Sequence, residues 1–365
     1  MSWNPDEPHD ALPPLPPRVE LESYGVLKAA ILARDALVRL DARARALIDP
    51  TVLINAIPLL EAQASSEIEN IVTTTDELFA AAALEPANPA AREALRYRTA
   101  LRHGFEQLAR RPLTASTAIE VCAIIRGHEV GIRRGEVFIG DPVSRRRVYT
   151  PPADPAAMDR LLENWSSFIN GPSELDPVVR MAVAHYQFEA IHPFTDGNGR
   201  TGRIMNVLML CDAGLLHLPL LYLSRHIIET KDEYYRRLLT VTTAGDWQGW
   251  IQYILEGVRA TSLSTLALVD QVEDSRSQLL ETTREVLGTA NHDLVALLME
   301  RPYARSRDVM ARCGVSRPTA AKWLRALVAA GVLRELRVGR DLVFINEPLM
   351  AVLTAPRTSR NIDRA

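Results

Sequence analysis

The chain has 365 residues, with 42 Lys and Arg against 45 Asp and Glu, a formal charge of −3, and 47% apolar residues. That length supports two or three domains. No apolar run approaches the roughly 20 residues of a membrane helix, and the polar, proline-rich start from Met1 to Pro17 does not read as a signal peptide. Three widely spaced cysteines, Cys122, Cys211 and Cys313, point to reduced thiols in a cytoplasmic protein, without a disulfide or zinc site.

In chain order, the first seventeen residues read as an extended arm packed on the body; Leu12-Pro13-Pro14-Leu15-Pro16-Pro17 also suits a polyproline ligand. Amphipathic Ala- and Leu-rich segments predict helices over residues 25–50, 52–83, 91–110, 114–127 and 156–170. Two β-prone runs, Gly135 to Gly140 and Arg146 to Pro152, flank a turn at Asp141 to Arg145 and predict a hairpin. Asp176 as cap and Pro177 in the first turn open a helix to Ile191, with Val179, Val183, Tyr186 and Ala190 at helical spacing. A further helix runs from Arg200 to Ala213 and stops at Gly214. Helices around 231–243 and 246–290 follow. The last eighty residues read as a separate unit: helices from His292 to Glu300, Ser306 to Arg312 and Arg317 to Ala330, then a β-hairpin wing from Val332 to Ile345 turning at Gly339-Arg340. The fold class is mainly α.

Between the two central helices lies His192-Pro193-Phe194-Thr195-Asp196-Gly197-Asn198-Gly199-Arg200-Thr201-Gly202-Arg203. The glycines fall in a turn that opens a helix N-terminus, where free backbone N–H groups and the helix dipole attract an anion. Asp196 is a hard oxygen ligand suited to magnesium between phosphates. Gly197 and Gly199 permit close backbone approach, and Asn198 offers a side-chain hydrogen bond. Arg200 and Arg203 can face one phosphate chain bidentately. His192 titrates near neutrality and can accept a proton from an attacking hydroxyl. No Gly-Lys-Ser/Thr follows the glycines, so this is not a Walker A loop.

The run resembles the Fic signature, His-x-Phe-x-Asp/Glu-Gly-Asn-Gly-Arg-x-x-Arg, with every defined position filled. The resemblance implies a protein adenylyltransferase that moves AMP from ATP, with Mg2+, onto a Ser, Thr or Tyr hydroxyl of a target protein or of itself, releasing pyrophosphate. By position it implies His192 as general base and Phe194 as the core anchor of the loop. Asp196 becomes the magnesium ligand. Gly197, Asn198, Gly199 and Arg200, continued by Thr201 and Gly202, become the phosphate cradle, and Arg203 the γ-phosphate partner. Ser65-Ser66-Glu67-Ile68-Glu69-Asn70 is similar to the family's inhibitory pattern, in which the glutamate, here Glu69, reaches the second motif arginine. Ser66 and Glu69 also have the spacing of a capping box at a helix start. The hairpin resembles the Fic flap, which pairs with the target backbone by strand addition, here through Arg147, Val148 and Tyr149. Tyr234, Tyr235 and Leu238 resemble the segment that wraps the adenine, although tyrosine and leucine at helical spacing also suit a core.

The expected organisation is an arm and helical region over 1–113, with an inhibitory helix at about 65–83; a catalytic core over 114–265; a helical linker over 266–285; a winged-helix domain over 286–350; and a tail over 351–365. Residues 301–345 hold ten Arg or Lys against three Asp or Glu, a local balance of +7 on an acidic chain. That excess suggests DNA contact through Arg317, Lys322 and Arg325, while winged helices also serve as dimerisation or docking modules. The alternatives to the enzyme are a DNA-binding regulator with a nucleotide-sensing or self-modifying Fic domain, and a Fic protein that removes AMP.

Overall fold

The computed structural model describes residues 3–47, 49–83, 88–140, 146–338 and 341–355. The expected flap turn at 141–145, the wing turn at 339–340 and the tail beyond 355 lie outside the described residues. Helices α1 (Tyr24–Arg45), α2 (Thr51–Ile68), α3 (Thr75–Ala83), α4 (Pro89–Leu108) and α5 (Ala115–Arg126) come first, followed by strands β1 (Ile139–Gly140) and β2 (Arg147–Tyr149). Next are α6 (Pro155–Asn170), α7 (Pro177–Ile191), α8 (Asn198–Asp212), α9 (Leu223–Glu229), α10 (Lys231–Ala244) and α11 (Trp247–Leu287). The C-terminal unit is α12 (His292–Glu300), β3 (Tyr303–Arg305), α13 (Ser306–Cys313), α14 (Arg317–Ala329), β4 (Leu333–Val338), β5 (Asp341–Asn346) and α15 (Glu347–Thr354).

The centre of the molecule is the pair α7 and α8. Twelve of the fifteen residues of α7 are buried, because neighbours cover it on every side. Asp176 caps α7 by accepting from the Val178 amide at 2.9 Å, with Pro177 in the first turn. Trp165 of α6 and Trp250 of α11 donate their indole N–H to the carbonyls of Ala184 and Ala182, at 2.9 and 2.8 Å, fixing both helices against α7. The N-terminal arm packs as expected: Leu12 and Leu15 are buried, and the Asn164 amide bonds both the N–H and the carbonyl of Leu15.

Two sequence expectations are corrected here. The helix expected over 52–83, with an inhibitory helix at about 65–83, is two helices separated at Glu69 to Thr74. Ser65 and Ser66 lie in the last turn of α2, so Ser66 and Glu69 do not form a capping box at a helix start. As expected of a helix over 246–290, α11 runs unbroken for 41 residues through the helical linker expected over 266–285. The flap strands are shorter than the β-prone runs, with Ile139 paired to Tyr149 and Gly140 to Arg147.

In the C-terminal unit, β5 is the central strand between β3 and β4, all antiparallel. This unit packs on α2 and α3 and continues the same apolar core. The Tyr303 hydroxyl donates to Asp76 of α3 across that junction.

Candidate active site

His192 ends α7 in the left-handed region, at φ 51° and ψ 59°, which turns the chain sharply into the loop. Four backbone carbonyls hold Arg133 beneath this turn. Its guanidinium donates to His192 O at 2.7 Å, Ile191 O at 3.2 Å, Gly135 O at 2.8 Å and Pro152 O at 2.6 Å. The Arg133 amide also bonds Pro193 O at 2.9 Å. Sequence reading missed Arg133, because nothing in its neighbourhood marks it. Burial, and then the Arg133 charge, lower the His192 pKa to about 4, so the imidazole is neutral at physiological pH. Its Nδ1 is buried without a well-formed hydrogen bond.

Below His192 the loop closes on itself. Phe194 is fully buried, as expected of an anchor. The Asn198 amide accepts from Phe194 N and donates to Phe194 O, both at 2.8 Å, so this side chain staples the loop rather than facing a ligand. Gly197 sits at φ 91°, where a side chain is strained. Thr201 is fully buried and Gly202 faces α7, where an added Cβ would lie 2.4 Å from Glu189 Oε1. Those two positions therefore belong to helix packing and not to the open side of the turn.

The charged groups are already paired. Asp196 is half exposed at the start of α8, bonded to Arg126 and, at 3.2 Å, to Arg200. Arg200 is buried between Asp196 and Glu93. Arg203, 1% exposed, donates to Ser65 Oγ at 2.8 Å, to Ser65 O at 2.9 Å and to Glu69 Oε1 at 2.9 Å. Burial alone would raise the Glu69 carboxyl; Arg203, with Arg200 and His192 behind it, outweighs that and holds the pKa below the usual range. An added Cβ at Gly199 would lie 2.5 Å from Glu69 Oε1 and 2.8 Å from Arg203, so only glycine leaves room for this contact.

Part of this set borders a cavity of about 210 Å3, which Asp196, Asn198 and Arg200 do not line. Glu69, Gly199, Arg203 and His192 form one side. Val148 and Tyr149 of the flap and Tyr235, Leu238 and Leu239 of α10 form an apolar remainder, with Tyr234 beneath. Tyr234 is 2% exposed and bonded to His185 Nε2 at 3.0 Å, so of the two tyrosines Tyr235 is the one open to a ligand. Tyr149 is also largely buried and donates to Ala190 O at 3.0 Å, whereas Arg147 is half-buried beside Glu136. Glu189 borders the cavity with Oε1 buried and unpartnered, and burial pushes its carboxyl up to about 7. It too escaped the sequence reading, since it looks like one polar position of a helix. Arg317, Lys322 and Arg325 are exposed on α14, away from this cleft.

The geometry suits a triphosphate with one divalent cation. A glycine turn opens α8, two guanidinium groups lie three residues apart, and a single accessible carboxylate flanks them. Magnesium commonly takes one or two protein carboxylates, the rest of its shell coming from phosphates and water. A helix–turn–helix pair with this loop and a hairpin beside it is the Fic fold. Two Fic/DOC families match in turn: the Fic/DOC family N-terminal region over residues 27–106, and the Fic/DOC family over residues 112–210. The family described as "Protein adenylyltransferase SoFic-like, C-terminal domain" matches residues 280–349. The chain belongs to the Fic/DOC family.

Protein adenylyltransferase fic-1 of Caenorhabditis elegans is 34% identical over 131 residues, covering 33% of this chain and 24% of its own length. Protein adenylyltransferase Fic of Aedes aegypti is 29% identical over 156 residues, covering 41% and 28%. The chain thus spans about a quarter of the length of these curated relatives. A Fic family protein from Desulfovibrio desulfuricans G20 superposes with a TM-score of 0.60 at 20% identity, over 89% of this chain and 96% of that one. Fic-1 of C. elegans superposes at 0.52 with 21% identity, over 67% and 73%. At these identities the likeness is one of fold.

Proposed function

We propose that this protein is an adenylyltransferase that transfers AMP from ATP to a Ser, Thr or Tyr hydroxyl of a target protein, and that Glu69 holds it inactive. The observation that carries the reading is the Arg203–Glu69 pair at the floor of a cleft opening onto His192. In the active state Glu69 withdraws and Arg203 takes the γ-phosphate in its place. The backbone N–H groups from Gly197 to Gly199 hold the phosphates, helped by Arg200. Asp196 would hold Mg2+, which neutralises charge on the phosphates when bound. The adenine lies against Tyr235 and Leu238. The flap edge at Arg147 and Val148 seats the target backbone. His192 accepts the hydroxyl proton while that oxygen bonds to the α-phosphorus. The bond from that phosphorus to the bridging oxygen breaks, and pyrophosphate leaves. The chain's own hydroxyls and those of other proteins are both candidate acceptors. Three free cysteines favour a cytoplasmic setting.

The test is incorporation of label from α-phosphate-labelled ATP, with the protein alone and with lysate. Glu69→Gly should raise transfer roughly ten- to a hundredfold, since a charged hydrogen bond contributes about 1.5–3 kcal/mol. Arg203→Ala should cancel the gain, and His192→Ala should remove transfer while sparing ATP binding. Release of AMP from a modified target by wild type, lost in Glu69→Gly, would instead favour the AMP-removing reading.

The order of helices and strands from α12 to β5 supports a winged-helix module, with Ser316 capping α14 as its recognition helix. Arg317, Lys322 and Arg325 are exposed along that helix and favour a DNA backbone as its partner. Affinity for duplex DNA that falls steeply with salt is the expected sign.

A further inference from the structure

Helix α1 buries one face and exposes five large apolar side chains on the other. Val26, Ala30, Ala33, Leu37, Leu40 and Ala44 pack inward. On the outside, Tyr24 is 85% exposed, Ile31 68%, Val38 56%, Leu32 47% and Leu27 43%. Elsewhere among the described residues the large exposed apolar side chains, Val19, Ile54, Val72, Phe138, Tyr235 and Leu336, are scattered singly. Scattered residues need no explanation, whereas a cluster on one helix face calls for a partner. Tyr24, Ile31 and Val38 recur every seven residues, with Lys28 and Asp35 between them on the same face. That is the alternating three- and four-residue spacing of a helix–helix seam.

We infer that this face of α1 is a homodimer surface, on which α1 of a second copy packs antiparallel. Charge selects the occupant and its direction. Lys28 and Asp35 are two turns apart and nearly symmetric about Ile31 and Leu32. In a two-fold antiparallel pair each Lys28 faces Asp35 of the second copy, so both ion pairs form at once. A parallel pair would set lysine against lysine and aspartate against aspartate. Lys28 has no ion-pair partner among the described residues, and Asp35 is bonded only locally, to Arg39 at 2.9 Å one turn on. The same symmetry brings Tyr24 near Val38 of the second copy and joins Ile31 and Leu32 at the centre. From Tyr24 to Val38 the seam extends about 21 Å at 1.5 Å per residue. An interface this short gives a reversible dimer, not an obligate one.

The test is sedimentation velocity on the full chain between about 1 and 100 μM. Wild type should shift from monomer to dimer across that range. Ile31→Glu should remain monomeric with an unchanged melting curve, since the position is exposed. Lys28→Glu and Asp35→Lys should each weaken association about tenfold or more, and the two together should restore it. Restoration is specific to the antiparallel pairing, because a parallel pair would keep like charges opposed. Monomer at every concentration, or a dimer insensitive to Ile31→Glu, overturns the inference. Failure of the double variant to recover overturns the orientation.

Discussion

Asn70 decides where Glu69 points. It stands two residues past the end of α2 at φ 63°, in the left-handed region that Asn and Gly tolerate and β-branched residues avoid. The turn is closed by the amides of Asn70 and Ile71, which reach back to Glu67 O and Ser66 O at 2.9 Å each. The chain therefore reverses just past Glu69 and leaves its carboxylate aimed at Arg203. Asn70→Gly should preserve this direction. Asn70→Val costs about 1–2 kcal/mol in that conformation, so basal AMP transfer should rise about five- to thirtyfold, measured beside Glu69→Gly as the upper limit. A rise of equal size with Asn70→Gly would sink the account. His192 yields a second expectation. With its pKa at about 4 it is neutral over the physiological range and becomes protonated only in acid. In the Glu69→Gly variant the base should stay neutral, because the raising influence of Glu69 is gone. The acid limb of the pH–rate profile should then lie below about pH 5, and a limb near 6.5 would mean an unshifted imidazole.

The elements legible in the sequence were those with strong caps and long periodicity. Asp176 with Pro177, Gly214 after α8, and Ser316 before α14 mark their helices plainly. The interruption between α2 and α3 was hidden because the Ser66 to Glu69 spacing reads as a helix start, whereas these residues end α2. Only the tertiary position of Arg203 distinguishes the two. Short pieces such as α9 and β3 carry too few residues for a period to emerge, and packing defines them. The loop chemistry was readable by residue type, but the division of labour within it was not. Asn198, Thr201 and Gly202 turn inward because the loop must satisfy its own backbone before it meets a ligand. Arg133 was invisible for a related reason, since its partners are all backbone carbonyls, which no sequence pattern announces. Arg133→Lys keeps the charge but cannot reach four carbonyls together. It should lower the melting temperature by several degrees and reduce AMP transfer in the Glu69→Gly background by tenfold or more, with ATP affinity nearly unchanged. Loss of ATP affinity in proportion to rate would assign Arg133 to nucleotide binding.

At the scale of the molecule the buried ionisable groups set an acid limit. Burial first, aided by nearby arginines, lowers His185 to about 3 and His192 to about 4, from 6.5. Below pH 6.5 the unfolded chain binds protons that these folded imidazoles refuse, so their contribution to stability is lost as the pH falls towards 4. Glu189, raised from 4.5 to about 7 by burial, acts in reverse: the folded chain keeps its proton, and that advantage disappears as the pH rises from 4.5 to 7. Two histidines oppose one carboxyl, so the melting temperature should fall between pH 6.5 and 4.5. Glu189→Gln should steepen that fall, and His192→Gln should shallow it.

The C-terminal unit bears on the Glu69–Arg203 contact through the same continuity of packing. α12 lies on α2, and β3 and α15 lie on α3, so the helix pair that carries Glu69 between its members is braced from behind. Tyr303, 2% exposed, is the junction: its ring is buried in the shared core and its hydroxyl bonds Asp76 at the start of α3. Tyr303→Ala removes the brace and should cost about 3 kcal/mol, as large-to-small core changes do. Basal AMP transfer should rise severalfold in that variant, while Tyr303→Ala added to Glu69→Gly should give no further gain, because the contact it weakens is already absent. An equal gain in both backgrounds would place the effect of Tyr303 outside the Glu69–Arg203 pair, and a loss of activity in both would make the C-terminal unit a structural support of the catalytic loop itself.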